Sequence, residues 1–402
     1  MMKKIGVIAN CDFLSLPNGG EVFLLHNLFA ANVSSTLEYY LIGMTFNPDI
    51  EEGKWTKVQI GDKNYNFFPV SKVLKDKEKT HIPFRMRVVY GLFKYKKDLE
   101  RMEIKSYYIH SAELGIPFWN QENINLIYHV HGDPSQTLKY SRFTQFRSPL
   151  WTKLYLQLIN KTIMESRLII WAANKSKELY IECQPQMKNE ILKKSITIHS
   201  SFDYKLHVKM ESIPSLNQRT HFVTVSRLAK IKHIDFIIQS VAQLYHNGVD
   251  CDLIICGDGE EMKALKSLSS SLGLEDRIIF LGLCNREQIA TVLDAADVFL
   301  FASENEAMSL VILESLYMGT PVVSTNVGDI SCAVISGETG YIVNSYNIPD
   351  YVDKINLILN NGKEFYSEKC KRVAEQYTPD RMASNISKEI DFCLNEVENK
   401  KK

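Results

Sequence analysis

Short apolar segments alternate with amphipathic segments along most of the chain. In the first half, segments rich in β-branched, leucine and tyrosine residues predict strands. Their bounds are Lys4–Ala9, Glu38–Gly43, Ser106–His110, Leu126–Val130, Leu168–Ala172 and Ser195–His199. Apolar residues at helical spacing predict helices at Val22–Ala31, Phe84–Arg101, Pro149–Ser166 and Lys175–Cys183. Because strands that alternate with helices pair in parallel, the pattern predicts a parallel sheet with helices on both faces.

The second half repeats this alternation more regularly. Predicted strands lie at Phe222–Val225, Leu253–Cys256, Ile278–Leu281, Val298–Ala302 and Val322–Ser324. Predicted helices begin near His233, Glu260, Arg286 and Ala307. The fold class is therefore α/β, with two Rossmann-like, doubly wound domains that are expected to face each other across a cleft.

The domain boundaries follow from a polar stretch in the middle of the chain. Residues 204–219 lack periodicity and contain Pro214, so they are predicted to be a linker between domains at 1–203 and 220–378. Residues 379–402 contain a helical segment with an apolar face at Met382, Ile386, Ile390 and Leu394. Since no strand follows this segment, its apolar face must pack on a domain that is already formed.

Composition excludes several classes of protein. A chain of 402 residues is long enough for two domains, and 47 basic residues balance 47 acidic ones, which argues against a nucleic-acid partner. The eight cysteines include no C-x-x-C pair, which predicts buried thiols in a reducing compartment. No apolar run approaches the ~18 residues of a spanning helix, so the expected location is cytoplasmic, with at most peripheral attachment to a membrane.

Candidate chemistry is concentrated after the predicted strand Val298–Ala302. Glu306 follows this strand, and Glu314 lies eight positions later in the predicted helix. Ligands of open parallel sheets bind at the carboxyl ends of strands, and free amides at a helix start, here those around Met308 to Leu310, bind anions. Two carboxylates on either side of an anion site suit a nucleotide-sugar, although any helix can carry two glutamates at this spacing.

Other strand ends in the second half add positive charge and glycine. Arg227 and Lys232 follow the strand Phe222–Val225, and two such cations suit a diphosphate. Gly257 and Gly282 follow the next two strands and permit close approach of a ligand to the backbone. The alternative for the cations is an ordinary solvated loop.

The first half offers weaker candidates. Gly19 and Gly20 precede a predicted helix, where they permit backbone contact with a phosphate or sugar, or form a flexible loop tip. His131 lies just beyond a predicted strand and is a candidate for contact with a sugar hydroxyl or the acceptor. His129 lies within that strand and is interpreted as a core histidine with satisfied hydrogen bonds.

The sequence predicts neither a metal site nor a bound cofactor. Asp250-Cys251-Asp252 matches the D-x-D pattern of metal-dependent sugar transferases, but it precedes a buried strand at the amino edge of the predicted sheet. No cluster of His, Cys, Asp and Glu has the spacing of metal ligands. The nucleotide-sugar is expected to act as a co-substrate.

Taken together, these residues resemble glycosyltransferase family 4, the retaining nucleotide-sugar transferases of GT-B fold. The resemblance is strongest over residues 223–343 and includes the run Gly319–Val323 and the late Gly337–Val343. It implies that Arg227 and Lys232 hold the donor diphosphate, that Glu306 contacts the donor sugar and that Glu314 contacts the ribose. It also implies that the amides of Ser309 and Leu310 meet the distal phosphate. It further implies roles at the donor for Gly19, Gly20 and His131, and a C-terminal helix that packs back on the N-terminal domain.

The resemblance implies a metal-independent, retaining transfer of a sugar, with a UDP-sugar as the expected donor. The expected acceptor is a glycan or lipid-linked saccharide of cell-surface polysaccharide biosynthesis, bound by the N-terminal domain. This sequence has Ala307 where the family commonly has glycine, which is expected to narrow the sugar pocket or to shift its loop. The alternative function is that of a non-catalytic GT-B partner protein in a glycosylation complex.

A basic segment at residues 72–105 contains interleaved aromatic residues, Phe84, Tyr90, Phe93 and Tyr95. Such a segment is able to lie on an anionic membrane surface and meet a lipid-linked acceptor. The alternative is a solvated helix face whose aromatic residues pack inward.

Overall fold

The computed structural model describes residues 2–14, 20–31, 34–73, 83–132, 148–202 and 219–399. The chain forms two compact units, the first of Met1–Ser200 with Pro379–Lys402 and the second of Ser201–Thr378. The predicted linker 204–219 lies outside the described residues except for Arg219.

The first unit is built on an eight-stranded sheet of order β3-β4-β2-β1-β5-β6-β7-β8. The strands are β1 (Lys3–Ile8), β2 (Leu37–Thr45), β3 (Thr56–Ile60), β4 (Lys63–Lys72), β5 (Ser106–Ile109), β6 (Asn125–Val130), β7 (Ser166–Trp171) and β8 (Ser195–Thr197). All neighbours pair in parallel except β3 and β4, which pair antiparallel. The parallel sheet is confirmed, whereas the edge hairpin of β3 and β4 was not predicted.

Helices connect the parallel strands of this unit. They are α1 (Gly20–Ala31), α2 (Phe84–Lys94), α3 (Lys96–Glu100), α4 (Pro149–Glu165), α5 (Asn174–Cys183) and α6 (Lys188–Lys194). The prediction of one helix over Phe84–Arg101 is wrong, because the chain leaves the helical conformation at Tyr95. The Tyr95 ring packs 5.6 Å from that of Phe68, and its hydroxyl donates to Glu52 over 2.9 Å, so tertiary contacts hold this break.

The second unit contains a six-stranded, wholly parallel sheet of order β11-β10-β9-β12-β13-β14. Its strands are β9 (Thr220–Val225), β10 (Cys251–Cys256), β11 (Ile278–Gly282), β12 (Val298–Phe301), β13 (Val322–Thr325) and β14 (Gly340–Val343). Its helices are α7 (Ile234–His246), α8 (Met262–Ser271), α9 (Arg286–Ala295), α10 (Leu310–Tyr317), α11 (Ile348–Asn361) and α12 (Glu364–Ala374). The strand order reverses between β9 and β12, and the loops after these two strands are where such sheets bind ligands.

The last helix, α13 (Pro379–Asn399), belongs to the first unit. Its predicted apolar face is buried in the same core cluster as residues of β1 and α1. The Tyr39 and Ser387 hydroxyls form a hydrogen bond of 2.9 Å, and Lys3 pairs with Asp391 at 2.8 Å. The predicted return of this helix to the N-terminal domain is therefore confirmed.

Two further expectations concern cysteines and membrane spans. Cys11, Cys251, Cys256 and Cys370 are buried as predicted, but the prediction is wrong for Cys183 and Cys332, which are exposed. Cys183 ends α5 and Cys332 ends a short turn after β13, so neither faces a core. Among the helices of the described residues, none combines the length and apolar character needed to cross a bilayer.

Candidate active site

The candidate site of the second unit lies where the turn after β9 meets the loop after β12. Lys232 ends a 3₁₀ turn at Lys230–Lys232, and its ammonium forms an ion pair with the Glu306 carboxylate. Each of these side chains is only 19% exposed. The Ser303 hydroxyl lies 3.5 Å from the same Glu306 oxygen. The structure therefore brings together one predicted diphosphate ligand and one predicted sugar ligand.

Backbone contacts fix the loop that carries Glu306 on both sides. The Glu304 amide donates to the Ile231 carbonyl over 2.9 Å, which ties this loop to the turn after β9. On the other side, the Asp329 amide donates to the Ala307 carbonyl over 2.9 Å. Gly328 has φ of +55°, and a Cβ there would collide with the Glu306 and Ala307 carbonyls. Only glycine therefore permits this close approach of the two loops.

Arg227, the second predicted diphosphate ligand, follows β9 and pairs with a different carboxylate from Lys232. Its side chain is 68% exposed, and its guanidinium lies 3.8 Å from the Glu260 carboxylate. An exposed pair of this kind holds the side chain weakly, so the guanidinium is able to turn toward an incoming anion.

The two predicted glycines of this edge occupy different surroundings. Gly257 has φ of +143°, and a Cβ there would collide with the carbonyl of Ser226. Its amide donates to the Gly282 carbonyl over 2.7 Å, so three neighbouring loops pack through backbone atoms. Gly282 has φ of +71°, and a Cβ there would meet nothing within 4 Å. Gly257 is required by packing, whereas the space beside Gly282 is open.

Helix α10 begins at Leu310 with Ser309 as its N-cap, three residues after the predicted start at Ala307. The difference arises because the hydrogen bond from the Asp329 amide to the Ala307 carbonyl holds Ala307 in the loop. The first amides of the helix have no partner within it, so together with the helix dipole they are able to bind an anion, and the anion site at Ser309 and Leu310 remains a prediction.

Glu314 lies in the second turn of α10 and faces α9. It lines a hollow with Phe202, Arg286, Ile289, Ala290, Tyr317 and Met318. An aromatic and aliphatic wall with two charged side chains is suited to a nucleoside. The roles predicted for Glu306, Glu314, Arg227 and Lys232 remain predictions.

In the first unit, the structure places His131 in a cluster of three histidines with His110 and His129. His110 Nδ1 lies 2.7 Å from His131 Nε2, and the rings of His129 and His131 stack 4.4 Å apart. Burial lowers the pKa of His131 to about 3, so its imidazole is neutral. His129 is completely buried and bonded to the Tyr108 hydroxyl over 2.5 Å, but its Nε2 has no partner, so the expectation of satisfied hydrogen bonds is only half met.

Sequence reasoning did not find this cluster, because His110 directly follows a different strand, β5. The three residues bring possible ligand atoms within 4.8 Å of one another. However, the planes of His129 and His131 differ by only 8°, and imidazole lone pairs lie in the ring plane. Stacked rings therefore do not direct both lone pairs at one point. Gly19 lies outside the described residues, and Gly20 is the first residue of α1.

The D-x-D pattern lies at the amino edge of β10, in an arginine network. Asp250 pairs with Arg219 at 3.3 Å and with Arg277 at 2.8 Å. Asp252 lies 3.5 Å from the same Arg277 guanidinium. Both carboxylates are thus matched by cations of the protein, far along the strand from the carboxyl edge that carries Lys232.

Comparison with known proteins was made at the levels of sequence and structure. The family model "Glycosyl transferases group 1" matches residues 209–378. Alpha-D-kanosaminyltransferase of Streptomyces kanamyceticus is 29% identical over 164 residues, which cover 41% of this chain and 41% of that protein. N-acetyl-alpha-D-glucosaminyl L-malate synthase of Bacillus anthracis is 30% identical over 166 residues, which cover 40% of this chain and 42% of that protein. The chain thus spans about two fifths of the length of these relatives.

Several solved structures match almost the whole chain. Sucrose-phosphate synthase from Thermosynechococcus elongatus has a TM-score of 0.71 at 16% identity, covering 98% of this chain and 100% of that one. Anabaena HepE, solved in complex with UDP and glucose, has a TM-score of 0.65 at 18% identity, covering 97% and 100%. These likenesses show the fold, which is the predicted GT-B arrangement of two Rossmann-like domains. Residues 209–378 match the glycosyl transferases group 1 model, in agreement with the resemblance to glycosyltransferase family 4 that the motifs predict for residues 223–343.

Proposed function

We propose that this protein is a retaining, metal-independent glycosyltransferase that moves a sugar from a nucleotide-sugar, with UDP as the expected nucleotide, to a glycan or lipid-linked acceptor. The observation that carries the proposal is the partly buried Lys232–Glu306 pair beside the start of α10. An ammonium and free helix amides suit a diphosphate, and a carboxylate suits a sugar hydroxyl.

The leaving diphosphate gains negative charge as the bond from the anomeric carbon to the phosphate oxygen breaks. Lys232 supplies a fixed positive charge, and the Leu310 amide at the α10 start supplies a hydrogen-bond donor. Arg227, which is exposed, is able to close on the diphosphate after binding. Each such contact is expected to stabilise the transition state by about 2–4 kcal/mol.

Retention follows if the acceptor attacks from the face that the diphosphate leaves. The new bond joins the acceptor oxygen to the anomeric carbon, and the acceptor proton passes to the departing phosphate oxygen. This route uses no carboxylate nucleophile, unlike retaining glycosidases. The role of Glu306 is then to hold a hydroxyl of the donor sugar, which its family motif also implies.

For the first unit we propose a role in acceptor binding, with His131 in contact with the transferred sugar. One nitrogen of its ring, Nε2, already lies against His110. The Nδ1 atom therefore remains for a sugar hydroxyl. Since the imidazole is neutral, it contributes a hydrogen bond and no charge.

We further propose that helices α2 and α4 place the first unit on an anionic membrane surface. On α2, Tyr90 is 71% exposed and Phe93 is 52% exposed, so the alternative in which these rings pack inward is wrong for both. A hydrogen bond of 3.2 Å from Arg85 to the Tyr155 hydroxyl joins α2 to α4. Helix α4 adds further exposed apolar residues, namely Leu150, Trp151 and Leu154. Exposed aromatic residues next to lysines are typical of helices that lie in a membrane interface.

The catalytic proposal is tested by incubating the protein with a panel of nucleotide-sugars and total lipid extract, followed by mass spectrometry of the products. Transfer that is lost in Arg227→Ala and Glu306→Ala supports the proposal. Lys230→Ala is the matched control, because Lys230 is an exposed lysine of the same turn. Binding of a donor with no turnover of any donor or acceptor would instead identify a non-catalytic partner protein.

The membrane proposal is tested by flotation with vesicles of phosphatidylglycerol and phosphatidylcholine at increasing salt. Tyr90→Ser combined with Phe93→Ser should reduce binding, whereas Phe392→Ser, an exposed aromatic residue of α13, should not. Binding that is absent at low salt, or equal for both variants, would refute the membrane proposal.

A further inference from the structure

His233 links the two loops of the candidate site through a contact that the motifs did not predict. It follows Lys232 directly, and its Nε2 donates to Glu304 Oε1 over 2.8 Å. Glu304 lies two residues before Glu306. The loops after β9 and β12 are therefore joined by two adjacent side-chain pairs, Lys232–Glu306 and His233–Glu304.

The backbone of His233 is strained in the conformation that makes this contact possible. Its φ and ψ are 42° and 46°, in the left-handed region that residues with a Cβ rarely adopt. Left-handed backbone at a residue other than glycine persists only where surrounding contacts hold it. Here the histidine ring packs 4.1 Å from the ring of Tyr346.

The two side-chain pairs differ in what a donor would do to them. A diphosphate that binds Lys232 competes with Glu306 for the ammonium, so donor binding weakens the first pair. The second pair does not take part in this competition, because it joins different side chains, the His233 imidazole and the Glu304 carboxylate. The hydrogen bond from the Glu304 amide to the Ile231 carbonyl joins the same two loops, so it depends on the same apposition of the loops.

Resting on the proposed function, we propose that His233 and Glu304 are positioning residues that keep the two loops in register while Lys232 leaves Glu306 for the donor diphosphate. Without donor, the His233–Glu304 pair contributes little to holding the two loops together, because the Lys232–Glu306 pair then holds the same loops. Once donor is bound, the His233–Glu304 pair contributes more to holding them. The pair thereby maintains the distance between the cation of the first loop and the sugar-binding carboxylate of the second.

The test uses His233→Asn, because asparagine tolerates left-handed backbone but is too short to reach Glu304. UDP affinity is measured by calorimetry, with GDP in parallel, and donor KM and kcat by product formation. An exposed pair predicts UDP binding about three- to five-fold weaker, a matching rise in donor KM and kcat within about two-fold of the unaltered protein. A purely structural role would instead lower the active fraction and leave KM unchanged.

Two more measurements separate this inference from the proposed function. The Glu304 amide should exchange its hydrogen about three- to five-fold faster in His233→Asn with UDP bound than in the unaltered protein with UDP bound. Glu304→Ala should have the same effects, and the double variant should be no worse than either single variant. His246→Asn and Glu275→Ala, at exposed positions of the same unit, are the controls.

Unchanged UDP affinity and unchanged amide exchange in His233→Asn would overturn the positioning role, even if the unaltered protein transfers sugar. If the unaltered protein binds UDP but transfers nothing, the catalytic proposal fails while the affinity and exchange measurements still decide the role of the pair. If it binds neither UDP nor GDP, both the donor site and the positioning role proposed for it are refuted.

Discussion

Replacement of Glu306 by glutamine should separate nucleotide binding from sugar transfer. In the structure the Lys232 ammonium is paired with the Glu306 carboxylate, and both are four-fifths buried. A diphosphate must therefore compete with the Glu306 carboxylate for the Lys232 ammonium. The carboxylate also repels the diphosphate, because both are negatively charged. Glu306→Gln removes this competition and leaves a side chain of the same size. UDP alone should bind about three- to ten-fold more tightly, which corresponds to about 0.7–1.4 kcal/mol.

The same substitution removes the charged acceptor for a donor-sugar hydroxyl, so kcat should fall by about 100-fold or more. Lys232→Ala should act in the opposite direction on nucleotide binding. It should weaken UDP binding by at least about ten-fold, since a hydrogen bond between charged groups contributes about 1.5–3 kcal/mol. It should also lower the free energy of unfolding by roughly 2 kcal/mol, because Glu306 is left partly buried without its cation.

Calorimetric titration with UDP and steady-state kinetics with a donor check both variants, and Lys230→Ala should behave as the unaltered protein in both assays. Weaker UDP binding by Glu306→Gln would refute the competition between carboxylate and diphosphate. Unchanged UDP binding by Lys232→Ala would remove this lysine from the donor site.

Further predictions concern the glycines, a buried carboxyl group and the D-x-D pattern. Gly257→Ala should lower the melting temperature far more than Gly282→Ala, because only the alanine at position 257 places its Cβ against a carbonyl. Gly282→Ala should lower the free energy of unfolding by about 1–2 kcal/mol, because the backbone there is left-handed. Burial raises the pKa of the Glu21 carboxyl to about 7, with nearby Glu113 as a further cause. The folded protein therefore binds this proton more tightly than the unfolded chain does, and its stability should fall as pH rises from about 4.5 to 7. Glu21→Gln should remove that part of the pH dependence and stabilise the protein at pH 8 by roughly 1–3 kcal/mol in denaturant titrations; lower stability at pH 8 would contradict the assignment. Asp250→Asn should have a kcat within about two-fold of that of the unaltered protein, because the substitution breaks only part of an arginine network. Its kcat should also be insensitive to EDTA. A loss of transfer would show that the aspartate serves the reaction.

The alternation of apolar strands with helices predicted the parallel strands of both sheets except β4 and β14, because each strand and its following helix have their own local pattern. The edge hairpin of β3 and β4 was missed although it carries a signal. Val58 and Ile60 alternate with polar residues before Gly61, which has φ of +58° at the turn, and Tyr65 and Phe67 continue the alternation after it. A glycine turn between two alternating segments is the pattern of a hairpin.

Tertiary contacts explain the differences that local sequence could not predict. The apolar and aromatic spacing of residues 84–101 fits one helix, but the contacts of Tyr95 with Phe68 and Glu52 interrupt it. Similarly, residues from Ala307 onward are compatible with a helix. The backbone hydrogen bond from Asp329 holds Ala307 in the loop, so the helix begins three residues later. Both competing partners are distant in sequence, so no window of neighbouring residues contains them.

The candidate site shows the same limit at the level of chemistry. The sequence predicted that Lys232 and Glu306 lie after strand ends. Their pairing also requires that β9 and β12 be neighbours in the sheet, and the local sequence does not contain this strand order. The distance between their loops is then set by residues outside the motif, namely Gly328 on one side and His233 on the other. A shift of about 1 Å in such a site can lower the rate by two orders of magnitude. Substitution of these supporting residues should therefore impair the reaction as much as substitution of the motif residues. A chain that retained Arg227, Lys232, Glu306 and Glu314 but lost Gly328 would therefore keep the motif and lose the site.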